Sequence, residues 1–316
     1  MNVSTSLNLV IPHKAKDAKT QGKKSKVGRT FGLILAYVFL SLMAILAIFP
    51  FYYMIAASFM SNEEVMAGQM FFHFNYFVDN MITNYSETIT RLSYWSHVGI
   101  TLLVAVTTTI LQLFVTILSA YAFARMQFKG KDALFMVLLA TMMIPGEMLA
   151  ISNYTTMANL GLISADQTSW QAFLVMVLPL IASVFYIYLL RQNFKQIPNE
   201  LYLAAKMDGQ SDWGFLWKVM VPLCSPTLIT IAILSLIGSW NSYVWPSLAV
   251  RKDEYQVISV IIRSGALEQL GPNGDMVTQL NWQMAASVLT VVPLLILFII
   301  FRRYIMSGVG RAGIKG

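Results

Sequence analysis

Residues 197–226 read IPNELYLAAKMDGQSDWGFLWKVMVPLCSP. Helix formers run from Glu200 to Met207, Asp208-Gly209 breaks them, and a second amphipathic piece leads through Trp213, Phe215 and Trp217 to Pro222. The pattern predicts a helix, a turn and a helix. This polar passage lies between two strongly apolar runs, and its meaning depends on where those runs sit.

The 316 residues are 57% hydrophobic and 12% charged, with a mean hydropathy of +0.62. Soluble domains carry about 25% charged residues. Windows free of Asp, Glu, Lys and Arg occur at 31–59, 92–124, 133–146, 167–190, 219–250 and 276–301. A helix crossing the hydrocarbon core needs about 20 mainly apolar residues. Five windows qualify directly, and the third does if Glu147 lies near its end. The expected fold class is therefore an all-α membrane protein with six transmembrane helices at about 30–57, 97–123, 133–152, 168–190, 222–249 and 283–300.

Orientation follows from Lys and Arg. With the N-terminus inside, 18 of the 22 fall on the inner side: 7 before the first span, 3 between spans two and three, 4 between four and five, and 4 at the C-terminus. Only Arg91, Arg251, Lys252 and Arg263 fall outside. Both termini and the opening stretch are thereby expected in the cytoplasm. This distribution explains the net charge of +7 without nucleic acid. The expected domains are a disordered basic tail at 1–29, a six-span transmembrane domain at 30–303 with a polar loop at 194–221, and a cytoplasmic tail at 304–316. The first apolar run is too long for a signal-peptide core, so it is expected to stay as an anchor.

Few residues offer chemistry. Cys224 is the sole cysteine, which excludes an intrachain disulfide and any multi-cysteine metal site. Gly308, Gly310 and Gly313 spell GxGxxG, but a span precedes them and no βαβ unit surrounds them, so they are no dinucleotide fingerprint. Gly130-Lys131 is followed by Asp132, not Ser or Thr, so no phosphate loop is present. Three scattered histidines leave no metal or triad pattern; His97 is expected at the outer interface.

Two places could line a pathway. Pro145-Gly146-Glu147 interrupts the third span, and irregular backbone at membrane depth is tolerated where protein buries it or where it lines a cavity; Glu147 could also simply reach outer water. Within the fifth span, Gly238-Ser239-Trp240-Asn241-Ser242-Tyr243 joins an aromatic face to hydrogen-bonding groups, as a sugar site requires. Helix-helix contact by small and polar residues accounts for the same letters. The outer segment 58–96 holds many aromatics and is expected to pack on the outer surface rather than stay fully solvated. For the opening stretch, a helix with small Ala204 and Ala205 and a turn at Gly209 suits docking into another protein's cleft. An interfacial connector without a partner is the other reading.

Ala204-Ala205, Asp208-Gly209, Pro222 and Pro226 resemble the EAA signature of ABC importer permeases, in which this loop docks on the ATPase subunit. The motifs AYAFAR (120–125), MMIPGE (142–147), LGL (160–162), IPNEL (197–201), GSWN (238–241) and the glycine-rich tail are similar to the carbohydrate branch of that family, the maltose and multiple-sugar type. The resemblance covers about residues 30–316. It implies a transport subunit that is not itself an enzyme, with no catalytic residues, metal or cofactor of its own. ATP and Mg would sit on two partner ATPase subunits. The other implied partners are a sister permease in a hetero-dimer, membrane lipid, and an extracytoplasmic sugar-binding protein. The setting is the cell membrane of a prokaryote. Glu200, Ala204, Ala205, Asp208 and Gly209 would dock on the ATPase, Gly313 and Lys315 of the tail would reach it, and Glu147, Trp240, Asn241 and Ser242 would face the pathway.

In one place the sequence departs from the signature. Leu203 stands where the family has its glutamate, with Glu200 three residues back on the same helical face. A secondary transporter or channel would do without the ATPase and would call for intramembrane carboxylates, of which Glu147 is the single candidate. A membrane enzyme would need a convergent catalytic set, which the sequence lacks.

Overall fold

The computed structural model describes residues 26–270 and 275–310. The expected tail up to Ser25 and the C-terminal contact residues Gly313 and Lys315 lie outside the described residues. The helices are α1 Lys26–Ala57, α2 Asn62–Met66, α3 Phe77–Arg91, α4 Tyr94–Ala124, α5 Lys131–Thr141, α6 Leu149–Asn159, α7 Ser169–Val177 and α8 Val184–Gln196. They continue with α9 Asn199–Met207, α10 Asp212–Phe215, α11 Val221–Leu223, α12 Ser225–Trp240, α13 Val244–Ala249, α14 Ile258–Ile261 and α15 Leu280–Gly310. The all-α expectation needs one correction. β1 Glu268–Leu270 pairs antiparallel with β2 Met276–Thr278, with Gln269 opposite Val277. The β-branched residues Val277 and Thr278 suit the pairing.

Among the described residues, three helices are long and apolar enough to cross a bilayer alone: Thr30–Ala57, Tyr94–Ala124 and Leu280–Arg302. Three further pairs qualify only together, and each is bent: Lys131–Thr141 with Gly146–Asn159 by 87°, Ser169–Leu180 with Val184–Gln196 by 49°, and Asp212–Leu223 with Ser225–Trp240 by 79°. The apolar helices thus number three to six. The breaks have local causes. Pro145 ends one helix. Pro179 precedes the second break, at 181–183. Pro222 and Pro226 flank the third, since proline lacks a donor and disfavours helix in the residue before it. The expected span at 222–249 is in fact two pieces, α12 and α13, joined through Asn241–Tyr243. At the other end, α15 continues as helix to Gly310, into the segment expected to be a tail.

The chain divides into two compact units, residues 1–52 and 53–316. In the first, every residue from Thr30 to Tyr52 is exposed, although the run is strongly apolar. Water is a poor solvent for such a surface; lipid or another apolar helix suits it.

In the second unit α4 is the central helix. Its buried face carries Val104, Thr109, Gln112, Ala120 and Tyr121. Thr109 hydrogen-bonds Ser235 of α12 at 3.2 Å. Gln112 Nε2 donates to the Leu180 carbonyl at 2.7 Å, satisfying backbone freed at the α7–α8 break. Segment 58–96 packs in part: Phe72, Phe77, Tyr85 and Tyr94 are half-buried or buried, whereas Phe71, Phe74, Tyr76 and Trp95 are exposed. Phe59, Phe72 and Phe77 form a three-ring cluster with centroids 4.8–5.9 Å apart. Asn84 donates to the Ser58 and Met60 carbonyls and accepts from Asn281. His97 is not interfacial: it is buried, and its Nδ1 lies 2.9 Å from the Gln256 carbonyl. The pull of that carbonyl, 159 residues away, is invisible in the sequence.

Candidate functional site

The helix-turn-helix predicted around Gly209 is present. The amide of Gln210 donates to the Ala205 carbonyl at 2.9 Å, and that of Gly209 to Lys206 at 3.0 Å. These two bonds make a Schellman ending, which requires a left-handed residue at the turn. Gly209 supplies it with φ 74°. Ser211 then caps α10, its hydroxyl accepting from the Gly214 amide at 3.1 Å. After α10 the chain widens into one π-helical stretch, Leu216–Met220, ahead of Pro222. We refer to residues 199–215 as the elbow.

The elbow has an inner and an outer side. Inward, Ala205, Phe215 and Leu216 join Tyr121, Phe194 and Ile197 in one buried cluster. Outward, Leu203, Met207 and Trp213 are 54%, 89% and 58% exposed. Glu200, Ala204 and Asp208 are exposed on the same helix. The expected docking residues therefore divide: Glu200, Ala204, Asp208 and Gly209 face out, while Ala205 packs into this chain's own core. Glu200 also sits in the first turn of α9, where a carboxylate favours the positive end of the helix dipole.

One arginine holds the elbow's base, and a second ties α8 to the end of α4 and to α5. Arg125 donates through one guanidinium nitrogen to the carbonyls of Phe194, at 3.2 Å, and of Ile197, and it reaches Asn199 at 3.5 Å. These carbonyls end α8, where a cation is favourable. Arg191 is buried; its Nε donates to the Phe123 carbonyl at 3.0 Å, and its guanidinium lies 3.8 Å from the Phe135 ring centroid.

Asp212 joins the two halves of the elbow. Its Oδ1 accepts from the Tyr202 hydroxyl at 2.9 Å and lies 3.0 Å from the Lys206 Nζ. The Tyr121 hydroxyl of α4 reaches both this oxygen, at 3.4 Å, and the Asp212 carbonyl, at 3.3 Å. Hydrogen bonds from Lys206 and then Tyr202 hold the Asp212 carboxyl below the usual carboxylate range. The bond to Asp212 in turn raises the Lys206 ammonium. Sequence reading singled out neither Asp212 nor Tyr121, because 91 residues separate them. Tyr121 and Arg125 lie within AYAFAR, so the motif flagged their region without their task.

The pathway candidates scatter. Glu147 is exposed in the 3₁₀ turn Gly146–Met148 and makes no ion pair among the described residues. Trp240, expected as an aromatic platform, is 3% exposed, and its indole N–H donates to the Thr290 carbonyl at 3.3 Å. It is buried and its N–H is engaged by α15, as the helix-contact reading expects. Ser242 is half-buried, with its carbonyl accepting from Ser259 at 2.5 Å. Only Asn241 of the three is exposed, as is Gly238 one turn earlier. Among the described residues no group of three or more His, Cys, Asp or Glu side chains is placed to hold a metal.

Comparison with known proteins gives this geometry a context. Residues 112–311 match the family described as binding-protein-dependent transport system inner membrane component. The arabinooligosaccharides transport system permease protein AraQ of Halalkalibacterium halodurans is 31% identical over 276 residues, covering 86% of this chain and 93% of that one. The lactose transport system permease protein LacG of Rhizobium radiobacter is 28% identical over 275 residues, covering 87% and 94%. Among solved structures, a chain of a bacterial ABC transporter involved in the import of the acidic polysaccharide alginate superposes with a TM-score of 0.74 at 25% identity, covering 89% of this chain and 98% of that one. The match spans both the elbow and the α4 residues that hold it, and the chain belongs to the family of inner membrane components of binding-protein-dependent transport systems.

Proposed function

We propose that this chain forms half of the translocation pathway of an ATP-driven importer for an oligosaccharide, in the cell membrane of a bacterium. In this reading each bent helix pair supplies one crossing, the third of them beyond the elbow, giving six spans with both termini in the cytoplasm. The elbow projects from the inner face into a cleft of an ATPase subunit. ATP and Mg bind on two such ATPase subunits, and this chain holds no cofactor. A sister permease completes the pathway, and an extracytoplasmic binding protein delivers the sugar. ATP binding would close the ATPase pair and rock the spans outward through the elbow as a rigid body; hydrolysis would reset them.

The observation that carries the reading is the elbow itself: a helix fastened inward by Ala205, Phe215 and Asp212 that exposes Leu203, Met207 and Trp213 outward. A helix meant only to connect spans gains nothing from such an exposed apolar face. The sugar class is supported by the arabinooligosaccharide, lactose and alginate transporters among the similar proteins. Affinity purification of the tagged chain from its own membranes tests the assembly. The expected outcome is co-purification of an ATPase and a second multi-span chain, with uptake that requires ATP. A chain that transports alone in vesicles, without an ATPase, would support a secondary transporter or channel instead.

A further inference from the structure

A helix that transmits force must be fastened to what it moves. If α9 were held only by the glycine turn and by core contacts at Ala205, a push on its outer face would flex the turn. The structure contains a specific fastening. The Asp212 carboxylate draws together Tyr202 and Lys206 of α9, the start of α10, and Tyr121 near the end of α4. Hydrogen bonds to a charged acceptor are about twice as strong as neutral ones. Ser211 capping and the Tyr202–Phe215 ring contact, with centroids 5.2 Å apart, keep the carboxylate in place. Tyr121 continues the connection. On the same helix, Gln112 bonds the Leu180 carbonyl at the α7–α8 break, and Thr109 bonds α12. A displacement of the elbow therefore reaches two membrane helices through one rigid rod.

We propose that Asp212 is the positioning residue that locks the elbow to α4, so that motion of α9 is delivered to the membrane helices rather than absorbed at Gly209. Asp212 is itself exposed, with 56% of its side chain accessible, and it acts through Tyr121, which is buried near the end of α4. The proposal rests on the docking reading above. It requires that loosening the lock leave docking in place and lower the work delivered per ATP.

The assembled complex with its ATPase and binding protein, reconstituted in liposomes, provides the test. Three variants bear on it: Asp212→Asn, Tyr121→Phe and Tyr202→Phe. Each is prepared with Cys224→Ser and Met207→Cys, so that cross-linking from position 207 to the ATPase reports docking. The second readout is solute imported per ATP hydrolysed, which a loss of stability alone would not change in complexes that remain assembled. The expected result is retained cross-linking with the import ratio lowered about three- to tenfold in Asp212→Asn, and less in the tyrosine variants. An unchanged ratio in cross-linked complexes would overturn the lock and leave docking standing. Loss of cross-linking confined to Asp212→Asn, with Tyr121→Phe normal in both readouts, would reduce Asp212 to local folding and also overturn it. Absence of cross-linking in the parent Met207→Cys complex would remove the docking reading, and this proposal with it.

Discussion

Gly209 stands at φ 74° with open space where a Cβ would project. A side chain there meets no neighbour, and the cost is the left-handed backbone, roughly 1–2 kcal/mol for an L-residue. Gly209→Ala is therefore expected to destabilise the elbow by about 1 kcal/mol without blocking it. Gly209→Arg adds a long cation at an exposed turn. It should leave the protein inserted while abolishing ATPase stimulation by the loaded binding protein; normal stimulation and uptake in assembled Gly209→Arg complexes would show that the turn does not enter a cleft. Asp212 gives a second handle at this scale. Its folded-state carboxyl is lowered, so its contribution is present above the usual carboxylate range and is lost as pH falls through it and below. Lys206 is raised, so its contribution is present below the usual lysine range and fades at higher pH. Hydrogen exchange of the peptide 199–215, corrected for the intrinsic rate, should lose protection below about pH 4 in the wild type. In Asp212→Asn that step should be missing. The glycine turn was legible in the sequence because a Schellman ending is a local event. The carboxylate was not, because its worth comes from Tyr121 on another helix.

Among elements, the same contrast recurs. Helix ends at Gly68, Gly161 and Gly209 all show positive φ and could be read from the letters. The first break, at Pro145-Gly146-Glu147, was also readable, since Pro and Gly are strong punctuators. The break at 181–183 was signalled only by Pro179 before it. Its own residues Ile, Ala and Ser carry no breaker signal, and Gln112 from α4 satisfies the Leu180 carbonyl there. Apolar windows thus coincide with the apolar helices but overstated their straightness, and of the two readings open for Trp240, its bond to α15 favours helix contact. Gln112→Leu tests the account of the second break. It keeps the bulk but leaves a buried carbonyl unpaired, at an expected cost of about 1–3 kcal/mol. Thermal unfolding in detergent should show a lower midpoint, whereas Gln112→Glu, which loses the donor when ionised, should be at least as damaging. An unchanged midpoint in both would mean that the α7–α8 bend is held by packing alone.

At the largest scale, three helices among the described residues are apolar enough to cross alone, and three bent pairs decide whether these cross three times or six. The two arrangements differ in which loops share a side. With three crossings, everything between α4 and α15 lies on one face of the membrane, so residues 160, 207 and 270 are together. With six, the loop at 160 and the hairpin at 270 are outside while the elbow at 207 is inside. Charge does not separate them, because 18 of 22 Lys and Arg fall on one side with six crossings and 17 of 22 with three. The sole cysteine, Cys224, is buried, so a Cys224→Ser background should be silent to a membrane-impermeant maleimide. Leu160, Met207 and Leu270 are 63%, 89% and 68% exposed, which makes each a suitable single-cysteine site. In intact cells Leu160→Cys and Leu270→Cys should react and Met207→Cys should not; in inverted vesicles the pattern should reverse. If all three react from the same side, the bent pairs do not cross; if that side is the outer one, the elbow also loses the cytoplasmic address on which an ATPase partner depends.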